Sequence, residues 1–226
     1  MDIQLHFEER GSGFPLILLH GNGGSCNEFQ AQMEPFAAHF HVFAVDTRGH
    51  GRSPRGTAPF TLRQFADDLH SFLLQQGIEK AHILGFSDGG NIALIFALRY
   101  PEMVDKLILN GANLFPAGVK LSVQVPIELG YFAAKLMKPF SPQAKAKAEL
   151  LGLMVNEPHV SLDDLQTVTA ETLVIAGTHD MIRDSHTKLI AENLSNAKLV
   201  LVEGDHFIAQ KNPEAFNEAV LEFLGA

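Results

Sequence analysis

The chain has 226 residues, 46% of them hydrophobic, which suits one α/β domain with a small insertion, and we expect no second independent domain. A formal net charge of −9 argues against nucleic acid as a partner, because an acidic surface does not neutralise phosphates. The one cysteine excludes an intramolecular disulfide, and no apolar run approaches the roughly 20 residues of a membrane span, so we expect a cytoplasmic protein that binds no membrane.

Strand and helix patterns alternate along the chain. Residues 2–8 alternate polar and apolar, which predicts a half-exposed antiparallel strand near a sheet edge. Further strands are expected at about 15–20, 41–46, 81–86, 107–111, 172–177 and 198–203. Helices are expected near 27–39, 61–76, 88–99, 184–195 and 213–224. The alternation predicts an α/β fold, a mostly parallel open sheet with helices on both faces.

One interval is too long for a single crossover between parallel strands, and it lies between about Asn110 and Thr172. We expect residues 114–165 to form a small helical cap over the active site, inserted before the strand that carries the catalytic acid. Residues 1–113 and 166–226 would form the core. Most apolar residues of the cap are expected to pack on the core, and a few, including Phe115, to line a substrate pocket.

Ser87 lies where a buried strand pattern meets a helical pattern. Gly85 and Gly89 flank it and remove the side chains that would collide across a sharp strand-to-helix turn. Such a turn exposes the hydroxyl at a helix N-terminus, where free backbone N–H groups favour developing negative charge. The pattern predicts a nucleophilic serine, although the short motif alone is also compatible with a helix cap.

A glycine-rich loop, residues 20–24, follows the strand expected at 15–20. Its backbone amides can point at an oxyanion, and the N–H groups of Asn22 and Asp88 are the predicted pair of donors. His20 is interpreted either as a residue that orients this loop or as a strand-end residue bonded to backbone. Asp46 and Arg48 are expected to brace a neighbouring loop.

The acid and the base are predicted from two later strand ends. Asp180 and His206 follow the strands expected at 172–177 and 198–203, at the edge where an open α/β sheet binds its ligands. Histidine suits the base because its unperturbed pKa lies near about 6.5. Asp180 would hold the imidazole tautomer, with Asp184 and Asp205 as rival acids. Other histidines lie in or near loops, namely His20, His50, His179 and His186.

No cluster of His, Cys and carboxylate residues has metal-ligand spacing along the sequence, and the glycine-rich segments lack the Lys-Ser/Thr of a phosphate-binding loop. We therefore expect no metal and no cofactor. A small-molecule substrate is the expected partner, and the oligomeric state is left open.

The order Ser87, Asp180, His206, with His20-Gly21 before the glycine-rich loop, resembles the α/β-hydrolase superfamily. Residues 46–53 resemble the loop after its fourth strand. Residues 84–90 and 110–113 are similar to valacyclovir hydrolase and the biphenyl-hydrolase-like esterases.

The resemblance implies a serine hydrolase that cleaves carboxylic esters or related acyl compounds through an acyl-enzyme. It leaves open a carbon–carbon bond hydrolase or lyase on the same triad, and a slow-turnover binding or signalling protein of the same fold. It also suggests that Asp88 could bind the ammonium of an aminoacyl ester. The alternative is that Asp88 only complements the positive end of the helix that follows it.

Overall fold

The computed structural model describes residues 2–226, which form a seven-stranded sheet flanked by helices. The strands are β1 (Phe7–Arg10), β2 (Pro15–Leu19), β3 (His41–Val45), β4 (Ala81–Phe86), β5 (Val104–Asn110), β6 (Glu171–Gly177) and β7 (Ala197–Val202). Their order across the sheet is β1-β3-β2-β4-β5-β6-β7. Only the edge pair β1–β3 is antiparallel among these strands. The mostly parallel open sheet predicted from the sequence is confirmed.

Nine α-helices connect or follow the strands within residues 2–226. They are α1 (Gln30–Ala37), α2 (Leu62–Gln75), α3 (Asp88–Arg99), α4 (Leu121–Met137), α5 (Pro142–Asn156), α6 (Leu162–Gln166), α7 (Asp184–Asn193), α8 (Ile208–Lys211) and α9 (Pro213–Leu224). The helix expected at 27–39 is divided, because a 3₁₀ helix, Cys26–Phe29, precedes α1. Across the described part of the chain, no helix has both the length and the apolar character that a bilayer crossing requires.

The core lies on both faces of the sheet, as β2 illustrates. Ile17 and Leu19 pack in one apolar cluster with residues of α2, α3 and α7, whereas Leu16 and Leu18 pack in another with α1 and α9. Successive side chains of a strand point to opposite faces, so a strand covered on both sides is apolar at every position. This explains why the central strands are continuous apolar runs in the sequence.

The edge strand has different bounds from those predicted. The alternating pattern at 2–8 places it too early, since the ladder with β3 begins at Phe7. Asp2 instead binds the loop that follows β3, where its carboxylate accepts hydrogen bonds from Arg48 Nη2 and from the Thr57 N–H, both at 2.6 Å. The polar residue that suggested strand alternation is therefore a partner of a buried arginine.

The segment between β5 and β6 is helical, as expected for a cap placed before Asp180. A 3₁₀ helix, Pro116–Gly118, leads into α4 and α5, which pack against each other, and α6 follows them. Leu165 of α6 is fully buried in the cluster that contains α2, α3 and α7. Helix α6 therefore packs against the core on one face of the sheet. The boundaries of the cap at residues 114 and 165 remain predictions.

Candidate active site

The turn between β4 and α3 places Ser87 in a conformation that L-residues rarely adopt, with φ 53° and ψ −120°. Glycines make this turn possible. A Cβ at Gly85 would lie 2.1 Å from the Gly89 carbonyl oxygen, and one at Gly89 would lie 2.1 Å from the Leu19 carbonyl oxygen. A non-glycine residue at positive φ costs roughly 1–3 kcal/mol, and such strain concentrates at functional sites.

The glycine-rich loop after β2 lies directly beside this turn. A Cβ at Gly21 would be 3.1 Å from the Phe86 ring and 3.3 Å from the Ser87 Cβ, so glycine lets the loop approach closely without moving its neighbours. His20 holds the loop, because its Nδ1–H donates to the Gly21 carbonyl at 2.7 Å and its Nε2 accepts from the Thr47 N–H at 3.0 Å. Burial lowers the pKa of His20 to about 4, so the ring is neutral at physiological pH. These contacts favour the orienting role over catalysis.

Glu28 is a second contact of the loop, and it is not among the site residues predicted from the sequence. Its Oε2 accepts a hydrogen bond from the Gly21 N–H at 3.0 Å. Burial raises the pKa of this carboxyl group, while the hydrogen bond from Gly21 and the nearby His206 oppose the rise. The available signal was an acidic residue in the first turn of the helix that follows a glycine-rich loop.

Asp180 and His206 form a buried pair. His206 Nδ1 lies 2.7 Å from Asp180 Oδ1, which also accepts a hydrogen bond from the Ile182 N–H at 2.9 Å. Next to a carboxylate, Nδ1 carries the proton, so Nε2 is an acceptor. Within residues 2–226, His206 Nε2 is buried and has no hydrogen-bond partner. Gly111 makes room for the ring, since a Cβ there would lie 2.6 Å from His206 Cε1.

Ser87 and His206 line one cavity of about 230 Å³. The glycine-rich loop contributes Gly21 and Asn22 to its wall, and the segment between β5 and β6 contributes apolar side chains. The remaining lining residues are Glu28, Phe86, Val123, Ile127, Met154, Met181 and Phe207. The cavity is therefore mostly apolar, with its polar groups concentrated near Ser87 and His206.

Asp88 is buried beside Ser87, with 8% of its surface exposed. Its Oδ2 accepts from Asn22 Nδ2 at 2.8 Å and its Oδ1 from Asn91 Nδ2 at 3.3 Å, while burial raises the pKa of the carboxyl group. Asn22 Nδ2 also donates to the Leu150 carbonyl of α5 at 2.9 Å. Asp88 therefore does more than complement the end of α3, because it joins the glycine-rich loop to the Ser87 turn.

Phe115 is not brought into the cavity. Its ring packs edge-on against the imidazole of His186, with centroids 4.6 Å apart, and is partly buried against the main apolar cluster. His186 in turn accepts a hydrogen bond from the Leu114 N–H at 2.9 Å. Phe115 is not among the residues that line the cavity with Ser87, so its role as a substrate contact remains a prediction without support from that cavity.

Two other candidate acids, Asp184 and Asp205, and one other candidate base, His179, make contacts outside the Asp180–His206 pair. Asp184 is 69% exposed at its side chain and lies 3.7 Å from Lys120 Nζ. Asp205 accepts a hydrogen bond from the Phe207 N–H and pairs with Lys211. The side chain of His179 is 75% exposed. The structure thus brings Asp180, and neither rival carboxylate, to the His206 ring.

The loop after β3 is braced by two buried charged residues. Arg48 is fully buried and donates from Nε and Nη2 to the two carboxylate oxygens of Asp68, at 2.6 and 2.7 Å. Asp46 accepts from the backbone N–H groups of Cys26 and Arg52 at 2.7 and 2.8 Å. Both side chains are occupied by structural contacts, as expected.

Comparison with known proteins identifies the family of the chain. Residues 15–136 match the family model described as alpha/beta hydrolase fold. "Putative carbamate hydrolase RutD" from Caulobacter sp. (strain K31) is 31% identical over 240 residues, covering 92% of this chain and 90% of that protein.

Two solved structures are similar over nearly the whole length. A hydrolase from Pseudomonas aeruginosa PA01 has a TM-score of 0.82 and 26% sequence identity. The match covers 99% of this chain and 95% of the chain of that hydrolase. A meta-cleavage product hydrolase from Pseudomonas fluorescens IP01 has a TM-score of 0.84 and 24% sequence identity. This match covers 99% of this chain and 94% of the chain of that enzyme. The fold, the family match and these likenesses together show that the chain is a hydrolase of the α/β hydrolase family.

Proposed function

We propose that the protein is a serine hydrolase that cleaves carboxylic esters or related acyl compounds. The observation that carries the proposal is the strained Ser87 in one cavity with His206, whose Nδ1 is bonded to Asp180. Ser87 Oγ would attack the carbonyl carbon while His206 Nε2 accepts its proton, and Asp180 would stabilise the imidazolium. His206 would then return the proton to the departing alcohol, leaving an acyl group on Ser87.

The negative charge of the tetrahedral intermediate needs donors that are already in place. We assign this role to the backbone N–H groups of Asn22 and Asp88. The Asp88 N–H lies in the first turn of α3, where backbone donors have no earlier carbonyl of the helix to bond. The Asn22 N–H belongs to the loop that Gly21 allows against Ser87. Water, activated by His206, would finally hydrolyse the acyl-enzyme.

Asp88 is also proposed to bind a cationic group on the substrate. Asp88 and Glu157 line a small cavity together with Ser87, and burial raises the pKa of both carboxyl groups. The charge of Asp88 further raises the pKa of Glu157. A substrate ammonium would offset this unfavourable negative charge, which supports aminoacyl esters as a substrate class.

Carbamates are a second candidate substrate class, supported by the likeness to RutD. Their carbonyl carbon is open to the same attack by Ser87, with an amine or alcohol as leaving group. The fold likeness to the meta-cleavage product hydrolase keeps carbon–carbon bond hydrolysis as an alternative, and slow turnover of a tightly held ligand as another. We propose a cytoplasmic location for the protein, whichever of these activities it has.

The experiment is an activity profile of purified protein across simple acyl esters, aminoacyl esters, thioesters, lactones, carbamates and a meta-cleavage product. Ser87→Ala serves as the control for each compound. The proposal expects steady Ser87-dependent turnover of esters. Faster turnover of carbamates or of the meta-cleavage product would replace the ester assignment, and a single slow turnover with a tightly bound ligand would favour a binding protein.

A further inference from the structure

Three side chains with metal-binding atoms, those of His6, Glu8 and Cys26, converge outside the cavity that Ser87 and His206 line. His6 and Glu8 flank Phe7 at the start of β1, and alternate residues of an extended chain point to the same side. Cys26 begins the 3₁₀ helix after the loop. One ligand atom from each of the three residues lies within 4.8 Å of those of the other two.

Two of the three side chains bring buried donor atoms to the cluster. His6 Nε2 is buried and lacks a hydrogen-bond partner in the part of the chain that the structure describes. The Cys26 thiol is buried as well, with 5% of the residue exposed. Buried nitrogen atoms are normally hydrogen-bonded, so an unpartnered nitrogen on an imidazole whose ring lies beside a thiol and a carboxylate requires an explanation.

The charges around the thiol favour a cation. Asp46 and Glu8 both act on Cys26 as negative charges, while Arg52 adds one positive charge. A metal bound to the Cys26 thiolate would release the thiol proton to solvent. A divalent cation would offset the carboxylates and give the His6 nitrogen a partner.

We propose that His6, Glu8 and Cys26 form a binding site for a divalent transition metal of the zinc type. Sulfur, imidazole and carboxylate ligands together suit Zn²⁺, which takes such sets in tetrahedral geometry. Water would supply the fourth ligand, and of the three residues His6 lines an open cavity of about 400 Å³. The metal would link the edge of the sheet to the loop that leads from β2.

Sequence spacing did not indicate this site, because its ligands come from separate elements that the sheet brings together. The antiparallel pairing of β1 with β3 places Glu8 opposite Ala44. Cys26 is joined to the end of β3 by its hydrogen bond to Asp46. The site is therefore a product of the β1–β3 edge, and it does not depend on the proposed ester hydrolysis.

The test is titration of the purified, metal-stripped protein with Co²⁺, followed by absorption spectroscopy. Cys26 is the sole cysteine of the chain, so a thiolate-to-cobalt charge-transfer band can arise only from this residue. We expect the band to saturate at one Co²⁺ per chain and to disappear on competition with Zn²⁺. The band should be absent in Cys26→Ser. In His6→Gln, half-saturation of the band should require at least about tenfold more Co²⁺.

Two further variants keep the test decisive. His41→Gln alters another histidine, which is paired with Glu9 on the same sheet edge, and should leave the band unchanged. Glu8→Gln changes an exposed side chain and should weaken Co²⁺ binding without loss of folding, as checked by thermal unfolding in the absence of metal. The absence of a charge-transfer band, or a band that His6→Gln and Glu8→Gln leave unaltered, would overturn the proposal.

Discussion

At the scale of single residues, the proposed chemistry depends on the contact between Asp180 and His206. Asp180→Asn preserves the shape of the side chain but lets an amide donate toward Nδ1, which favours the wrong imidazole tautomer. We expect kcat to fall by roughly 10⁴-fold. Asp184→Asn is the matched control, because its exposed carboxylate lies beside Lys120, and it should retain kcat within about twofold. Equal losses in the two variants would contradict the assignment of the acid.

Asp88 allows a test of substrate charge. Asp88→Asn keeps an acceptor for Asn22 but removes the negative charge beside Ser87. The Michaelis constant for aminoacyl esters should rise by about tenfold or more, whereas that for neutral acyl esters of similar size should change little. Steady-state kinetics on a matched pair of esters provides the measurement. If both esters lose efficiency equally, or neither does, Asp88 does not bind an ammonium.

Site residues that follow strand ends could be predicted from sequence, and residues that act through tertiary contacts could not. Ser87, Asp180 and His206 each lie just past an apolar run, and the structure brings all three to one edge of the sheet. Their catalytic roles remain predictions. Glu28 was missed because its contact with Gly21 arises only when the loop folds back on the following helix.

At the scale of elements, the Ser87 turn depends on backbone contacts that no side chain can replace. Gly89→Ala would place a Cβ against the Leu19 carbonyl of a central strand, where neither backbone can yield cheaply. We expect a loss of unfolding free energy of about 3 kcal/mol or more, or no folded protein. Chemical denaturation measures it.

Gly152→Ala provides the control for that loss. Its Cβ would meet a side-chain carbon of Tyr131 at 3.3 Å, and α5 has ordinary helical backbone there. Alanine is favoured over glycine in a helix by roughly 0.5–1 kcal/mol, which offsets a small shift of the Tyr131 ring, so the stability of this variant should stay within about 1 kcal/mol of the native protein. A Gly89→Ala protein as stable as Gly152→Ala would contradict the close packing of the turn.

Strands and helices could be predicted from the sequence where burial determines the pattern of apolar residues. The strands β2 to β4 are apolar on both faces, and α2, α3 and α9 begin and end close to the predicted positions. The edge strand β1 was placed too early because Asp2 follows the strand alternation while it binds Arg48. The likeness to biphenyl-hydrolase-like esterases remains a prediction.

At the scale of the whole molecule, buried neutral histidines make stability depend on pH. Burial lowers the pKa of His20 to about 4, against a usual value of 6.5 in the unfolded chain. Between these values the unfolded state binds more protons than the folded state, so the unfolding free energy falls as pH decreases from 6.5 to 4. The contribution of His20 is about 3 kcal/mol at most.

The variant His20→Gln isolates this contribution, because glutamine does not titrate. Urea denaturation at several pH values should show a shallower loss of stability in the variant than in the native protein between pH 6.5 and 4. Parallel curves for the two proteins would show that His20 is not held neutral by burial.

The whole account rests on Ser87 as an activated nucleophile, and covalent labelling tests it most directly. A fluorophosphonate reacts with a serine that a neighbouring base activates, and the product can be located by peptide mass spectrometry. We predict one label per chain, on the peptide that contains Ser87, and no label in Ser87→Ala. A label on another residue, or none on protein shown to be folded, would contradict the account.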